Sequence, residues 1–219
     1  MSIEGGIVRF QIMLFSLFFM YVSSFSQYAD AELYKKLNIP QLNKKVLDRA
    51  LEGMSEINVK NKNIITIIDY TKPSSEKRMF VIDLKNKKLI FYTYVAHGKN
   101  TGNKYAKSFS NKVNSKQSSV GFFETSNSYI GTHGYSMRLN GLEKGINDKA
   151  RERNIVIHGA NYAEKKYIEK TGRLGRSWGC PAVPPELSKS LINTIKNGSL
   201  IYINGDLANY EKKSKYIAL

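Results

Sequence analysis

Short runs of β-branched and aromatic residues, separated by polar turns, constrain the fold of this chain more than any other feature. Three runs follow one another closely, at residues 64–68, 79–83 and 89–95. The lysine-rich stretch 85–88 has the composition of a hairpin turn, so the second and third runs predict neighbouring antiparallel strands. Further runs lie at 121–123, 129–142, 155–157 and 199–203. This pattern predicts a mostly β domain, a sandwich or barrel, with a few short helices.

Apolar residues at helical spacing predict a small helical lead-in before the β region. Residues 28–55 carry this spacing, with a break at Pro40 and a predicted stop at Gly53. A second helix is predicted after Pro184-Pro185. We therefore divide the chain into residues 1–26, a lead-in at 27–60, a main domain at 61–205, and a basic, loosely ordered tail at 206–219.

The first 26 residues have the pattern of a secretory signal peptide. Arg9 precedes an apolar stretch at 10–22, and the small residues Ser23, Ser24 and Ser26 follow it. The apolar stretch is short for a membrane span, so we expect no stable span after cleavage, with an uncleaved anchor as the alternative. This pattern predicts an exported protein, located in the periplasm or at the cell wall.

The formal net charge of +16 predicts an anionic partner or, alternatively, a surface that lysines only keep solvated. A wall polymer, an anionic membrane face and a nucleic acid are the partner classes that such a charge favours. The lysine runs lack the interleaved aromatic residues of a single-strand binding groove. We therefore expect no nucleic-acid partner.

The residues suited to covalent chemistry lie between His158 and Cys180. Cys180 is the only cysteine, so the chain has no intramolecular disulfide, and the thiol is either a small core residue or a nucleophile. The run 155–157 predicts a buried strand that ends at His158, and an imidazole on such a rigid platform is a suitable base for a thiol. Gly179 leaves room for a substrate beside the sulfur and for N–H groups that stabilise an oxyanion.

The pair His158-Gly159, followed by Ser177-Trp178-Gly179-Cys180, resembles the catalytic motif of the L,D-transpeptidase (YkuD-like) family. That family carries a histidine-glycine pair and then Ser-His-Gly-Cys. Trp178 in place of the second histidine, and Pro181-Ala182 after the cysteine, are departures that we interpret as a divergent branch. The resemblance spans about residues 64–205. It implies the L,D-transpeptidase fold and acyl transfer on peptidoglycan stem peptides, as L,D-transpeptidation or L,D-carboxypeptidation, through a thioester on Cys180.

The resemblance also implies roles for individual residues. His158 acts as the base, the Gly159 carbonyl orients its ring, and the N–H groups of Cys180, Gly179 and Trp178 form the oxyanion hole. It implies no metal or cofactor, stem peptides as partners, and inhibition by carbapenems.

A polar set upstream is predicted to contact the substrate in the same cleft. Its members, together with one serine of the cysteine motif, are His133, Tyr135, Arg138, Asn140 and Ser177. Arg138 is the candidate to bind a carboxylate through two parallel hydrogen bonds. The alternative for Arg138 is a surface ion pair with Glu143 or Asp148.

Two other functions stay open on the sequence. His97, His133, His158 and Cys180 are all the histidines and the only cysteine, and they have the chemistry to bind zinc in a wall hydrolase. Against this, no His-x₃-His or Cys-x₂-Cys spacing favours such a site. The other alternative is a non-enzymatic, basic wall-binding module with an inert thiol. His97 itself has two interpretations, a residue lining the site or a plain loop histidine.

Overall fold

The computed structural model describes residues 32–217 and divides the chain into two compact units, residues 1–40 and 41–219. In the first unit, residues 32–37 are helical. The predicted signal peptide at 1–26 lies outside the described residues. Across residues 32–217, the helices are too short or too polar to span a bilayer.

The second unit is built on one mixed sheet of eight strands. The strands are β1 (Asn61–Asp69), β2 (Met79–Asp83), β3 (Lys88–Thr93), β4 (Gly121–Gly131), β5 (Gly134–Gly141), β6 (Val156–Gly159), β7 (Ala182–Val183) and β8 (Ser199–Asn204). Their order in the sheet is β3-β2-β1-β8-β4-β5-β6-β7. The pairs β1–β8 and β6–β7 are parallel, and the other neighbours are antiparallel.

The two ends of this sheet approach each other. Ala96, three residues after β3, forms an antiparallel bridge to Ala182 in β7, the strand at the opposite end of the order. The sheet is therefore nearly closed and barrel-like. Such closure leaves few strand edges exposed. The predicted mostly β, barrel-like fold with a few short helices is confirmed. The central strand β8 is buried along its whole length, as its unbroken apolar run predicts.

Four α-helices surround the sheet within residues 41–217: α1 (Lys44–Glu56), α2 (Lys165–Thr171), α3 (Pro185–Ile195) and α4 (Tyr210–Lys213). Asn43 caps α1, with its side chain accepting the Lys45 N–H at 2.9 Å. The predicted stop at Gly53 is wrong, because α1 continues to Glu56. Gly53 is needed there for packing, since a Cβ at this position would lie 2.2 Å from the Phe122 ring.

The C-terminal segment is packed onto the sheet, and the prediction of a loosely ordered tail is wrong for residues 206–217. Tyr210 and Ser214 are buried, and both hydroxyls lie within hydrogen-bond distance of the buried Glu143 carboxylate. Tyr216 meets the Phe122 ring edge-on at 5.9 Å. The basic composition of this segment concealed the few residues that anchor it.

Candidate active site

A tight turn holds Cys180, and Ser177 builds that turn. The Ser177 hydroxyl accepts the Gly179 N–H at 3.0 Å and donates to the Cys180 carbonyl at 2.6 Å. Gly179 has φ +127°, and a Cβ there would lie 2.8 Å from the Gln117 carbonyl oxygen, so only glycine fits. Ser177 is buried, and its hydroxyl is committed to the turn rather than directed at a substrate.

Residues 96–98 and Ser118 hold the turn in place through hydrogen bonds. The Ser177 N–H donates to the His97 carbonyl at 3.0 Å, and the Ala96 N–H donates to the Ala182 carbonyl at 2.8 Å. The Ser118 hydroxyl joins residues 96–98 to the turn, because it accepts the Gly98 N–H and donates to the Gly179 carbonyl, each at 3.0 Å. The cysteine motif is thus fixed by backbone hydrogen bonds on both sides of Cys180.

His158 lies in β6, between β5 and β7, with its side chain buried. Its Nδ1 is 3.0 Å from the Gly159 carbonyl oxygen. A carbonyl only accepts hydrogen bonds, so this contact places the proton on Nδ1 and leaves the Nε2 lone pair to act as a base. Burial lowers the pKa of His158 below its usual 6.5, which keeps the imidazole neutral at pH 7.

The Cys180 thiol lies beside the first residues of the same strand. Its Sγ is 3.5 Å from the carbonyl oxygen of Asn154, and the residue is partly exposed. Burial of the sulfur raises the pKa of Cys180, while a hydrogen bond from the Val156 backbone and the charge of Arg153 oppose that rise. His158 pairs with Ala182 across β6–β7, and Cys180 is two residues before Ala182 in the chain.

His133 lies at the tip of the β4–β5 hairpin and covers His158. The two imidazole rings stack with centroids 4.5 Å apart and an interplanar angle of 24°. His133 is exposed, and its charge, when present, lowers the pKa of His158. The sequence placed His133 near the site, and the structure brings it into direct contact with His158.

Arg138 lies on the same face of the sheet as His158. Ser136 pairs with His158 and Arg138 pairs with Val156, so these side chains share one face. The guanidinium carbon of Arg138 lies 4.2 Å from the Tyr129 ring centroid. Within residues 32–217, Arg138 forms no ion pair, so the alternative of a surface pair with Glu143 or Asp148 is not what the structure shows.

Tyr135 and Asn140 lie away from His158, contrary to the expectation of one shared cleft. Tyr135 alternates with Ser136 and points to the opposite face, where its hydroxyl is 2.7 Å from Asn193 Oδ1 on α3. The Asn140 side chain lies at the far end of β5, 3.5 Å from the Glu124 carboxylate. The alternation of the strand explains the first difference and the length of β5 explains the second.

The four candidate zinc ligands do not converge. His97 is buried behind the cysteine turn, with Nδ1 2.7 Å from the Arg78 guanidinium and Nε2 3.3 Å from the Gly102 carbonyl. Both ring nitrogens are therefore occupied, and a guanidinium beside them disfavours a second cation. Across residues 32–217, no three His, Cys, Asp or Glu side chains gather closely enough to hold one metal ion. His97 is a buried structural residue in this arrangement.

Arg153 is the site residue that the sequence analysis missed. Its guanidinium donates to the Ser110 carbonyl at 2.6 Å and to Ser115 Oγ at 3.2 Å, and it also bonds Ser119 Oγ and the Gln117 carbonyl. These bonds tie the polar loop at 110–119 to the start of β6. The only signal in the sequence was an arginine two residues before a buried strand.

The site consists of an imidazole in β6 of a nearly closed β sheet and a thiol in the turn that leads into the neighbouring strand β7. Residues 38–204 match the family model of the L,D-transpeptidase catalytic domain, YkuD_2. The match covers well over half of the chain, and the chain therefore belongs to the L,D-transpeptidase catalytic-domain family. It begins at residue 38 and so includes α1 as well as the sheet.

Solved structures give fainter likenesses. An L,D-transpeptidase from Mycobacterium smegmatis shares 11% identity at a TM-score of 0.41, over 65% of this chain and 59% of its own. The helical cell shape determining protein Pgp2 from Campylobacter jejuni shares 13% identity at a TM-score of 0.43, over 75% of this chain and 57% of its own. The L,D-transpeptidase LdtMt1 in complex with imipenem shares 12% identity at a TM-score of 0.40, over 64% of this chain and 58% of its own. This chain spans less than two thirds of each of these structures. The comparison with curated proteins gave no match.

Proposed function

We propose that this protein is a cysteine acyltransferase that acts on peptidoglycan stem peptides, with Cys180 as nucleophile and His158 as general base. The observation that carries the proposal is the contact between His158 Nδ1 and the Gly159 carbonyl. It fixes the tautomer that a base requires, on the strand that also flanks the thiol. Gly159 thus supplies through its backbone the orientation that a carboxylate supplies in other triads.

The reaction proceeds in two steps. The Cys180 thiol gives its proton to His158 Nε2 as the sulfur attacks an amide carbonyl of the stem, and the C–S bond forms. The C–N bond then breaks, and His158 returns the proton to the leaving amine, which leaves a thioester on Cys180. An amine of a second stem resolves the thioester into a crosslink, or water resolves it into a carboxylic acid.

Two backbone N–H groups are free to stabilise the oxyanion. Among residues 32–217, neither the Cys180 N–H nor the Trp178 N–H donates to another residue, whereas the Gly179 N–H is bound to Ser177. We therefore assign the oxyanion hole to Cys180 and Trp178, and assign Gly179 to the shape of the turn. The indole of Trp178, at the position of the family's usual second histidine, marks a divergent branch in this proposal.

The net charge of +16 suits a partner rich in carboxylates, such as the wall, and the N-terminal pattern supports export to the periplasm or wall. An L,D-transpeptidase with this fold has been solved with imipenem. By extension, we expect a carbapenem to acylate Cys180 of this chain.

The test is conversion of a stem tetrapeptide, with products identified by mass spectrometry. Wild type is expected to release the terminal residue and to form a crosslink or a shortened peptide. Cys180→Ala should abolish conversion, and His158→Ala should lower it by about 10² to 10⁴. Ser190→Ala, an exposed serine on α3, is the matched control and should convert normally. Conversion by Cys180→Ala at the wild-type rate would refute the proposal.

A further inference from the structure

A cleft opens beside Asn154, a residue in contact with the thiol. Its volume is about 470 Å³, within the range of small-ligand sites. The residues that define it are Val113, Lys116, Glu152, Arg153, Asn154 and Trp178. Asn154 belongs to both places, because its carbonyl lies 3.5 Å from Cys180 Sγ. Asn154 and Trp178 thus link the cleft to the nucleophile, one through this contact and the other through the cysteine motif.

Two large apolar side chains line the cleft, among residues that are otherwise polar. Trp178 is 74% exposed and Val113 is 39% exposed, and both are among the few large apolar side chains that residues 32–217 present to solvent. Trp178 sits on a rigid turn, between Ser177 and Gly179, whose hydrogen bonds were given above. A large aromatic side chain held rigidly in solvent is typical of a binding surface.

Lys116 supplies the charge of the cleft. Its Nζ lies 4.5 Å from the centroid of the Trp178 ring, and its backbone carbonyl accepts the Asn100 N–H at 3.0 Å. Among residues 32–217, no carboxylate lies within ion-pair distance of this half-buried ammonium. The cation is thus placed beside the indole and left available for an external anion.

The chemistry of the cleft selects among anionic ligands. The donors of Arg153 are directed to the loop at 110–119, so Lys116 is the cation available to a ligand. The negative charge of Glu152, which also lines the cleft, disfavours a polyanion. One ammonium beside an exposed indole matches a single carboxylate on a peptide better than a phosphate backbone.

We propose that this cleft binds a carboxylate-bearing segment of the stem peptide, with the carboxylate on the Lys116 ammonium and the peptide chain against the Trp178 indole. The assignment rests on the proposed function for the identity of the peptide. It adds the residues that recognise the peptide.

Trp178 is the only tryptophan in the chain, so its fluorescence reports on this cleft alone. Cys180→Ala, which cannot form a thioester, is titrated with a stem tetrapeptide whose carboxylates are free and with the same peptide fully amidated. We expect a saturable fluorescence change with the acid and binding at least tenfold weaker with the amide. Adding Lys116→Met should remove the difference between the two peptides.

Lys112→Met is the matched control, because Lys112 is an exposed lysine of the same loop. It should bind the acid as Cys180→Ala alone does. Equal binding of acid and amide, or an unchanged preference for the acid in the Lys116→Met variant, would overturn the assignment. Because the titration involves no turnover, it can succeed even if the acyltransferase proposal fails, and the reverse also holds.

Discussion

At the scale of single residues, the chemistry depends on how burial divides one proton between Cys180 and His158. Burial raises the pKa of the thiol above its usual 9.0 and lowers the pKa of the imidazole below its usual 6.5. Both shifts favour the neutral pair over a thiolate–imidazolium pair. His158 is then already a free base at pH 7, and the proton leaves the thiol only as the sulfur attacks.

This division of the proton predicts the pH dependence of thiol alkylation. Iodoacetamide reacts with the thiolate, so its rate with Cys180 should rise about tenfold per pH unit from pH 7 to 9. Below pH 7 it should show no plateau. The measurement is unambiguous because the chain has a single cysteine. A pH-independent rate between pH 5 and 7 would indicate a preformed ion pair and contradict the account.

At the scale of elements, Arg153 joins the loop at 110–119 to the start of β6. Replacing it with methionine removes one donor from each of two carbonyls and two hydroxyls of that loop, which should lower the free energy of unfolding by about 2 kcal/mol. Arg153→Lys should fall between methionine and wild type, because an ammonium keeps the charge but not the planar fork.

Chemical denaturation of the Arg153 variants provides the measurement, and Arg151→Met provides the control. Arg151 is exposed and two residues away, so its loss should change stability by less than about 0.5 kcal/mol. If Arg153→Met matches Arg151→Met in stability, the loop does not depend on this guanidinium.

The elements themselves were largely predictable from the sequence, and their side-chain assignments were less so. β2 lies where its apolar run placed it, and the strand predicted to end at His158 continues by one residue, to Gly159. Alternation along β5 already separates Tyr135 from Arg138, but which of the two faces carries His158 depends on the register with β6, which no local pattern reveals. Arg153 was missed because all its partners lie at least 34 residues away in the chain.

At the scale of the whole molecule, a buried polar network makes stability depend on pH. His97 accepts a hydrogen bond from the buried Arg78, and burial together with that charge lowers the pKa of His97 to about 4. In the unfolded chain the same group titrates near 6.5. Between these two values the unfolded chain takes up a proton that the folded protein does not, so stability falls as the pH drops from 6.5 toward 4.

The predicted loss of stability is at most about 3.5 kcal/mol, because a difference of one pKa unit corresponds to about 1.4 kcal/mol. His97→Asn keeps an acceptor for Arg78 but has no proton to take up. We expect the stability of wild type relative to His97→Asn to fall steadily from pH 7 to pH 4 in denaturant titrations. A difference that stays constant over this range would show that His97 is not a buried neutral base.

The central claim is that one sulfur, activated by His158, carries the acyl group. Intact-mass spectrometry of the purified protein after incubation with imipenem tests it most directly, since the chain offers a single thiol. The account predicts one adduct on wild type, none on Cys180→Ala, and a much slower adduct on His158→Ala. An adduct of equal yield on Cys180→Ala, or no adduct on folded wild type, would contradict it.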